Sequence, residues 1–192
     1  TESISLVFNK FSTIYNNASL LISSVEHNAT RLSANILKDR GWKVKKINVD
    51  NTGIIDIQKI HDYHSKDLKF ISIIWGQSEI GSVQPIQKIG KIFLNEDIIF
   101  HVDGTQIISN GLFNWEDLNC DLLSFSAHKF GGPKGIGVLL CNEKSRKIIR
   151  NSDISLSHEY SIRAGTQSIP LISGLNVALS NISSRIQISP EN

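Results

Sequence analysis

The stretch "SFSAHKFGGPKGIGVLL" (residues 124–140) decides how this chain is read. A Ser-x-His-Lys run is followed at once by Gly-Gly-Pro-Lys-Gly. Residues 121–125 read as a short strand and 136–141 as another. Lys129 therefore sits where a buried strand gives way to a tight turn. A lysine taken at random is simply solvated, so this placement matters only if other strands end in a similar way.

Outward from this stretch, strands and helices alternate. Residues 5–15 carry apolar positions at helical spacing, 19–25 read as a strand, and 27–41 as a helix stopped by Gly41. In that helix Leu32, Ala34, Ile36 and Leu37 are expected to supply the apolar side. Residues 42–50 alternate like a half-exposed strand, and 54–63 read as a short helix. The near-continuous apolar run 68–75 reads as a strand covered on both faces. A helix over 85–97, a buried strand over 98–104 and a closing helix over 169–186 complete the order. The expected fold class is α/β: a mostly parallel sheet with helices on both faces. Ligands of such sheets bind beyond the carboxyl ends of the strands. There the sequence puts Glu26 and His27, then Gln77, Ser78 and Glu79, then Asp103 and Gln106, then Ser126, His128 and Lys129. Four strands ending in polar residues point to a site.

Composition limits what that site serves. The chain has 192 residues, 40% hydrophobic and 20% charged, with net charge +2. That is enough for one domain with a core of its own. The cations are scattered rather than striped, so no nucleic-acid partner is expected. No apolar run approaches the ~20 residues of a membrane span, and no membrane partner is expected. Cys120 and Cys141, in strand-like segments, read as small buried apolar residues of a reducing compartment, so the expected location is cytoplasmic. The chain has no methionine and begins Thr1-Glu2-Ser3, and is expected to be a processed product or a piece of a longer protein.

A lysine, an aspartate, an imidazole and several hydroxyls are the parts of a pyridoxal phosphate site. The amine condenses with the cofactor aldehyde. The aspartate keeps the pyridine nitrogen protonated, since a carboxylate partner moves a neighbour's pKa by ~1–3 units. The imidazole stacks on the ring, and hydroxyls with helix N–H groups hold the phosphate. A metal reading of "HVD" (101–103) with His128 leaves the lysine and the glycine turn unexplained, and no metal is expected.

These residues carry a family resemblance. "TES" (1–3), "EHNA" (26–29), "TGIIDI" (52–57), "SEIGSVQPIQKIG" (78–90), "HVDGTQ" (101–106), "SFSAHKFGGPKGIG" (124–137) and "RAGTQS" (163–168) follow one another as in the NifS-like cysteine desulfurases of the class V aminotransferase group. The chain resembles the central part of that group's large domain, a fold type I domain. The segment before it and the C-terminal small domain are expected to lie outside these residues. The resemblance implies pyridoxal 5'-phosphate as cofactor, with Lys129 as its attachment point. It implies Asp103 at the pyridine nitrogen and Gln106 at the phenolic oxygen side. It makes His27 the stacking and proton-shuttling imidazole. Thr1, Ser126 and His128 become phosphate ligands, and Thr166 the threonine that reaches a neighbouring subunit's phosphate in a homodimer. The implied reaction removes sulfur from L-cysteine, giving alanine and an enzyme persulfide that passes to sulfur-acceptor or scaffold proteins. The persulfide-forming cysteine is expected beyond this sequence, because Cys120 and Cys141 match no part of its motif. Ser78 stands where the family usually has Asn, with Gln77 before it as a possible substitute. Two alternatives stay open: another class V enzyme, such as a selenocysteine lyase or an aminotransferase, and a non-catalytic remnant that keeps the fold.

Overall fold

A computed structural model of the chain describes residues 1–111, 113–150 and 158–183. Six strands form one sheet: β1 (Ser19–Ser23), β2 (Lys43–Ile47), β3 (Leu68–Ile74), β4 (Ile99–Asp103), β5 (Leu122–Ser126) and β6 (Gly137–Cys141). Their order is β2-β1-β3-β4-β5-β6. The first five run parallel, and β6 returns antiparallel to β5. From β1 the chain steps outward to β2, then crosses back to β3 on the other side of β1. The order of the strands thus reverses between β1 and β3, where an open α/β sheet leaves a crevice for a ligand. The edge strand β2 is the half-exposed strand expected from its sequence, with Lys43, Lys45 and Lys46 along it. Charges of this kind discourage another sheet from pairing with an open edge.

Helices cover both faces, as expected. On one side lie α1 (Glu2–Ile14), α2 (Asn28–Asp39) and α4 (Glu143–Ile149). On the other lie α3 (Ile86–Phe93), α5 (Ile169–Ser183) and the 3-10 turn Ile57–Tyr63, which replaces the short helix expected there. The last expected helical residues, 184–186, lie outside the described residues.

In α1 the residues Ile4, Val7, Phe8 and Phe11 form a stripe at helical spacing and are buried. Phe11 stacks on Phe70 of β3 at 4.5 Å, and Phe8 meets the same ring edge-on at 4.9 Å. A short connection through Asn17, whose φ of 55° Asn tolerates well, joins α1 to β1. A helix that turns so directly into a strand runs antiparallel to it. The N-terminus of α1 therefore lies at the carboxyl edge of the sheet, and α2, which starts just after β1, begins there too.

One expectation about α2 fails. Leu32 is 64% exposed and Ile36 42% exposed, whereas Ala29, Thr30, Ser33, Ala34 and Leu37 are buried. Leu32 and Ile36 lie one turn apart on one side, and Ala34 and Leu37 lie on another. Small residues face inward because α2 packs closely on α1, close enough for Ser33 Oγ to lie 3.4 Å from Ser5 Oγ.

Candidate active site

Side chains alternate along a strand with a period of two. On the face toward α1, Phe70, Ile99 and Leu122 are core residues, and the following positions on the same face are Ser72, His101 and Asp103, and Ser124 and Ser126. The polar end of this face opens into a cavity of about 570 Å³ at the β1–β3 crevice. Glu26 and His27 reach it from the end of β1, Ser78 from the loop after β3, and Asp103 and Gln106 from β4. Ser126, His128 and Lys129 reach it from β5, and Thr1 from the start of α1. Eight of the nine residues singled out from the sequence thus share one wall. The ninth, Thr166, lines a separate groove of about 730 Å³ between α1, β6 and α5, which Thr1, Ser126 and His128 also border.

The turn after β5 explains the opening motif. Ala127–Lys129 forms a single 3-10 turn, anchored by bonds to Ala127 O from Phe130 N (3.1 Å) and Gly132 N (2.9 Å). Ala127 and Phe130 are buried, which leaves His128 and Lys129 facing outward into the cavity. Gly131 has φ +89°, a left-handed conformation that favours glycine. A Cβ on Gly132 would sit 2.8 Å from Ala127 Cβ, so the return past the lysine requires a glycine there as well. Lys129 Nζ makes no hydrogen bond or ion pair with the described residues and is an available amine at a cavity wall.

Asp103 is 3% exposed. Its Oδ1 accepts from Thr105 N (3.1 Å) and Thr105 Oγ1 (2.5 Å). Both bonds converge on one oxygen and leave Oδ2 for a ligand. Thr105 was not among the residues singled out from the sequence.

His27 is the N-cap of α2, with Nδ1 accepting from Ala29 N at 3.1 Å. That bond fixes the tautomer: a neutral ring carries its proton on Nε2 and presents it toward solvent. Gln77 lines the cavity beside Ser78. Its Oε1 accepts from Glu79 N and Ile80 N within its own loop, while Ser78 is exposed at the cavity.

Beneath the cavity two buried titratable groups are kept neutral. His101 bridges Ser72 Oγ (Nδ1, 2.8 Å) and Ser124 Oγ (Nε2, 3.0 Å). Burial pushes its pKa down to about 4, against an opposing pull from Asp103. With both nitrogens engaged, His101 has none for a metal. Glu26 is pushed up to about 8, first by burial, with Asp103 adding to the shift and hydrogen bonds from Ser23 and Ile74 opposing it. Strand parity in the sequence (72/74, 101/103, 124/126) is the signal that would have revealed the serine–histidine row.

The cysteines divide. Cys120 is buried in the connection before β5, as expected, and burial raises its thiol pKa strongly. Cys141 is half-buried at the end of β6 and lines the second groove, so it is not the core residue that the sequence implied. An edge strand covers it on one side only, yet burial still pushes its pKa up to about 11, against a lowering by Arg146. Both thiols are poor nucleophiles near neutrality, and neither lines the cavity that holds Lys129.

The residues present fit pyridoxal phosphate: a free amine, a buried carboxylate with an uncommitted oxygen, hydroxyls at a helix N-terminus and an imidazole of fixed tautomer meet at one cavity. The chain belongs to the class-V aminotransferase family, whose pattern it matches over residues 1–190. Within that family it is similar to cysteine desulfurases. The cysteine desulfurase IscS of Dictyoglomus turgidum is 36% identical over 162 residues, covering 83% of this chain and 40% of that protein. The mitochondrial cysteine desulfurase of Saccharomyces cerevisiae is 32% identical over 159 residues, 83% of this chain and 32% of that protein. A solved NifS-like protein superposes with TM-score 0.86 at 30% identity over 94% of this chain and 50% of its own. SspA in complex with cysteine superposes with TM-score 0.83 at 32% identity, over 94% of this chain and 53% of its own. The chain thus spans about two-fifths of the length of the first curated relatives it matches.

Proposed function

We propose that the protein is a pyridoxal phosphate-dependent cysteine desulfurase, of which these residues form the central part of the cofactor-binding domain. The observation that carries the reading is the convergence of Lys129, Asp103, Gln106 and His27 on one cavity at the β1–β3 crevice. When bound, the cofactor supplies an electron sink for the bonding electrons of the substrate's α-carbon. Lys129 would hold the cofactor through Nζ, and its amine would be the group in this cavity placed to take and return the α-proton. Thr105 holds Oδ1 of Asp103, so Oδ2 is the oxygen that keeps a proton on the pyridine nitrogen. Gln106 lies on the same wall for the phenolic oxygen side. His27 would cover the ring and offer Nε2–H, its Nδ1 accepting from Ala29 N. Ser126, His128 and Thr1, with the first N–H groups of α1, take the phosphate. Ser78 gives a shorter contact where the family's Asn would stand.

L-cysteine is the proposed substrate, and alanine and a persulfide the products, with sulfur passing to acceptor or scaffold proteins. Neither Cys120 nor Cys141 lines the cavity that holds Lys129, so the reading assigns the persulfide-forming thiol to residues other than these two. Thr166 is assigned to a neighbouring subunit's phosphate in a homodimer on the family pattern, and it lines the second groove together with Thr1, Ser126 and His128. Two free cysteines fit the reducing cytoplasm. The test is borohydride reduction of the protein with pyridoxal phosphate, followed by peptide mapping. Label on Lys129 is expected, and label spread over surface lysines and unchanged in Lys129→Ala would count against the reading. The 192 residues alone are expected to release no sulfide from L-cysteine. Turnover that vanished in Cys120→Ala or Cys141→Ala would overturn the assignment of the thiol elsewhere.

A further inference from the structure

Beyond the end of the β1–β3 ladder, the side chain of Glu26 bridges the crevice. The β1–β3 ladder stops at Ile22 and Ser72, so it offers no strand partner to the N–H of Ile74. Glu26 takes that place. Its Oε1 accepts from Ile74 N at 2.8 Å and from Ser23 Oγ at 2.5 Å, tying the end of β1 to the end of β3. Ile74 is the ladder partner of Asp103, and His27 is the next residue after Glu26. A single carboxyl therefore links the segment that carries His27 to the segment that carries Asp103, across the crevice where a ligand would lie.

We propose that Glu26 is a positioning residue of the cofactor site, whose carboxyl fixes His27 and Asp103 relative to one another. The inference rests on the cofactor reading given above. Glu26 is 4% exposed, and its Oε2 is buried without a hydrogen-bond partner. An ionised carboxyl would place negative charge on that undonated oxygen near Asp103, which is costly in a low-dielectric interior. The neutral acid avoids this. Oε1 then acts as the carbonyl oxygen that accepts both bonds, and Oε2 carries the proton. The rise of the Glu26 pKa to about 8 is in keeping with that arrangement. The other ionisable groups on the cavity wall are Asp103 from β4, Glu79 from the loop after β3, Arg31 from α2, His27 beside Glu26, and His128 and Lys129 from the turn after β5.

A neutral brace makes a prediction that a generic structural role does not. Glu26→Gln keeps a carbonyl oxygen for Ile74 N and Ser23 Oγ and cannot ionise. Equilibrium dialysis against pyridoxal phosphate should show Glu26→Gln binding within about threefold of the unaltered protein near pH 6, and Glu26→Ala binding about tenfold more weakly. As pH rises through about 8, the unaltered protein should lose affinity relative to Glu26→Gln. Thermal melts of cofactor-free protein give a second readout. A carboxyl whose folded pKa is raised contributes stability that is full below its unfolded pKa and lost as pH rises to its folded one. The melting temperature of Glu26→Gln should therefore gain on that of the unaltered protein between about pH 5 and pH 8. Loss of cofactor by Glu26→Gln as severe as by Glu26→Ala, or coincident pH profiles in both measurements, would overturn the inference alone, whether or not Glu26→Ala folds. Unaltered protein that takes up no more cofactor than Lys129→Ala at any pH would overturn the cofactor reading and this inference with it.

Discussion

The two faces of the central strands teach different things. Toward α3 and α5 the strands are apolar from end to end: Ile71 and Ile73 running into Trp75, Phe100 and Val102, Leu123 and Phe125. Toward α1 the same strands begin apolar with Phe70, Ile99 and Leu122 and end in Ser72, His101, Asp103, Ser124 and Ser126. One face anchors the sheet along its whole length. The other spends half its length on anchoring and half on chemistry, and its buried polar groups are tolerable because they bond to one another. A site built on strand ends backed by a continuous apolar face inherits the rigidity of that face.

The largest effect that could break this comparison is at Lys129. Lys129→Ala should reduce borohydride-trapped cofactor to background while leaving the fold intact, because the amine contributes nothing to either core. Next, Phe100→Ala on the apolar face should cost ~3–5 kcal/mol of stability, read by denaturant unfolding. It should leave cofactor affinity of the folded fraction unchanged. Asp103→Asn should do the reverse, losing affinity for the cofactor with a small change in stability. Equal stability losses in these two variants would mean that the faces are not divided as described. A smaller effect concerns acid. The pKa of His101 is depressed from 6.5 to about 4, so its stabilising contribution is present above pH 6.5 and lost as pH falls toward 4. That loss amounts to about 3 kcal/mol, and urea midpoints measured across this range should show it in the unaltered chain and not in His101→Gln. The smallest effect is at Ser78. Ser78→Asn should bind the cofactor more tightly by about 1 kcal/mol, the net worth of one hydrogen bond. Marked weakening would show a pocket shaped around the smaller residue.

Much of this was legible in the sequence, for identifiable reasons. The parallel sheet announced itself through apolar runs such as 68–75, and the site through polar residues directly after those runs. The lysine turn was legible because glycine-rich returns are confined to few geometries. The inward face of α2 was not legible, because close helix packing selected Ala29, Ser33 and Ala34 over Leu32 and Ile36. Nor was the environment of Cys141, since an apolar strand looks alike in sequence at the edge of a sheet and at its centre. Glu26 could be placed at a strand end, but not its bond to Ile74 forty-eight residues away, because that contact depends on strand order. Nor were the loop bonds legible that engage Oε1 of Gln77 with Glu79 N and Ile80 N, which depend on how the chain turns after β3.

The antiparallel return of β6 has a consequence for the order of assembly. β5 and β6 are joined directly by residues 127–136, the segment that carries Lys129. Hairpins close on the order of 1–10 μs, whereas parallel pairs such as β1–β3 and β3–β4 must first bring distant segments together and form more slowly. During refolding the Lys129 amine is thus expected on a nascent hairpin before Asp103 and Glu26 have been brought beside it. An aldehyde present at that stage would meet an ordinary lysine, and under the proposed function any selectivity of Lys129 for a cofactor would be acquired late, when the slower parallel core closes around it.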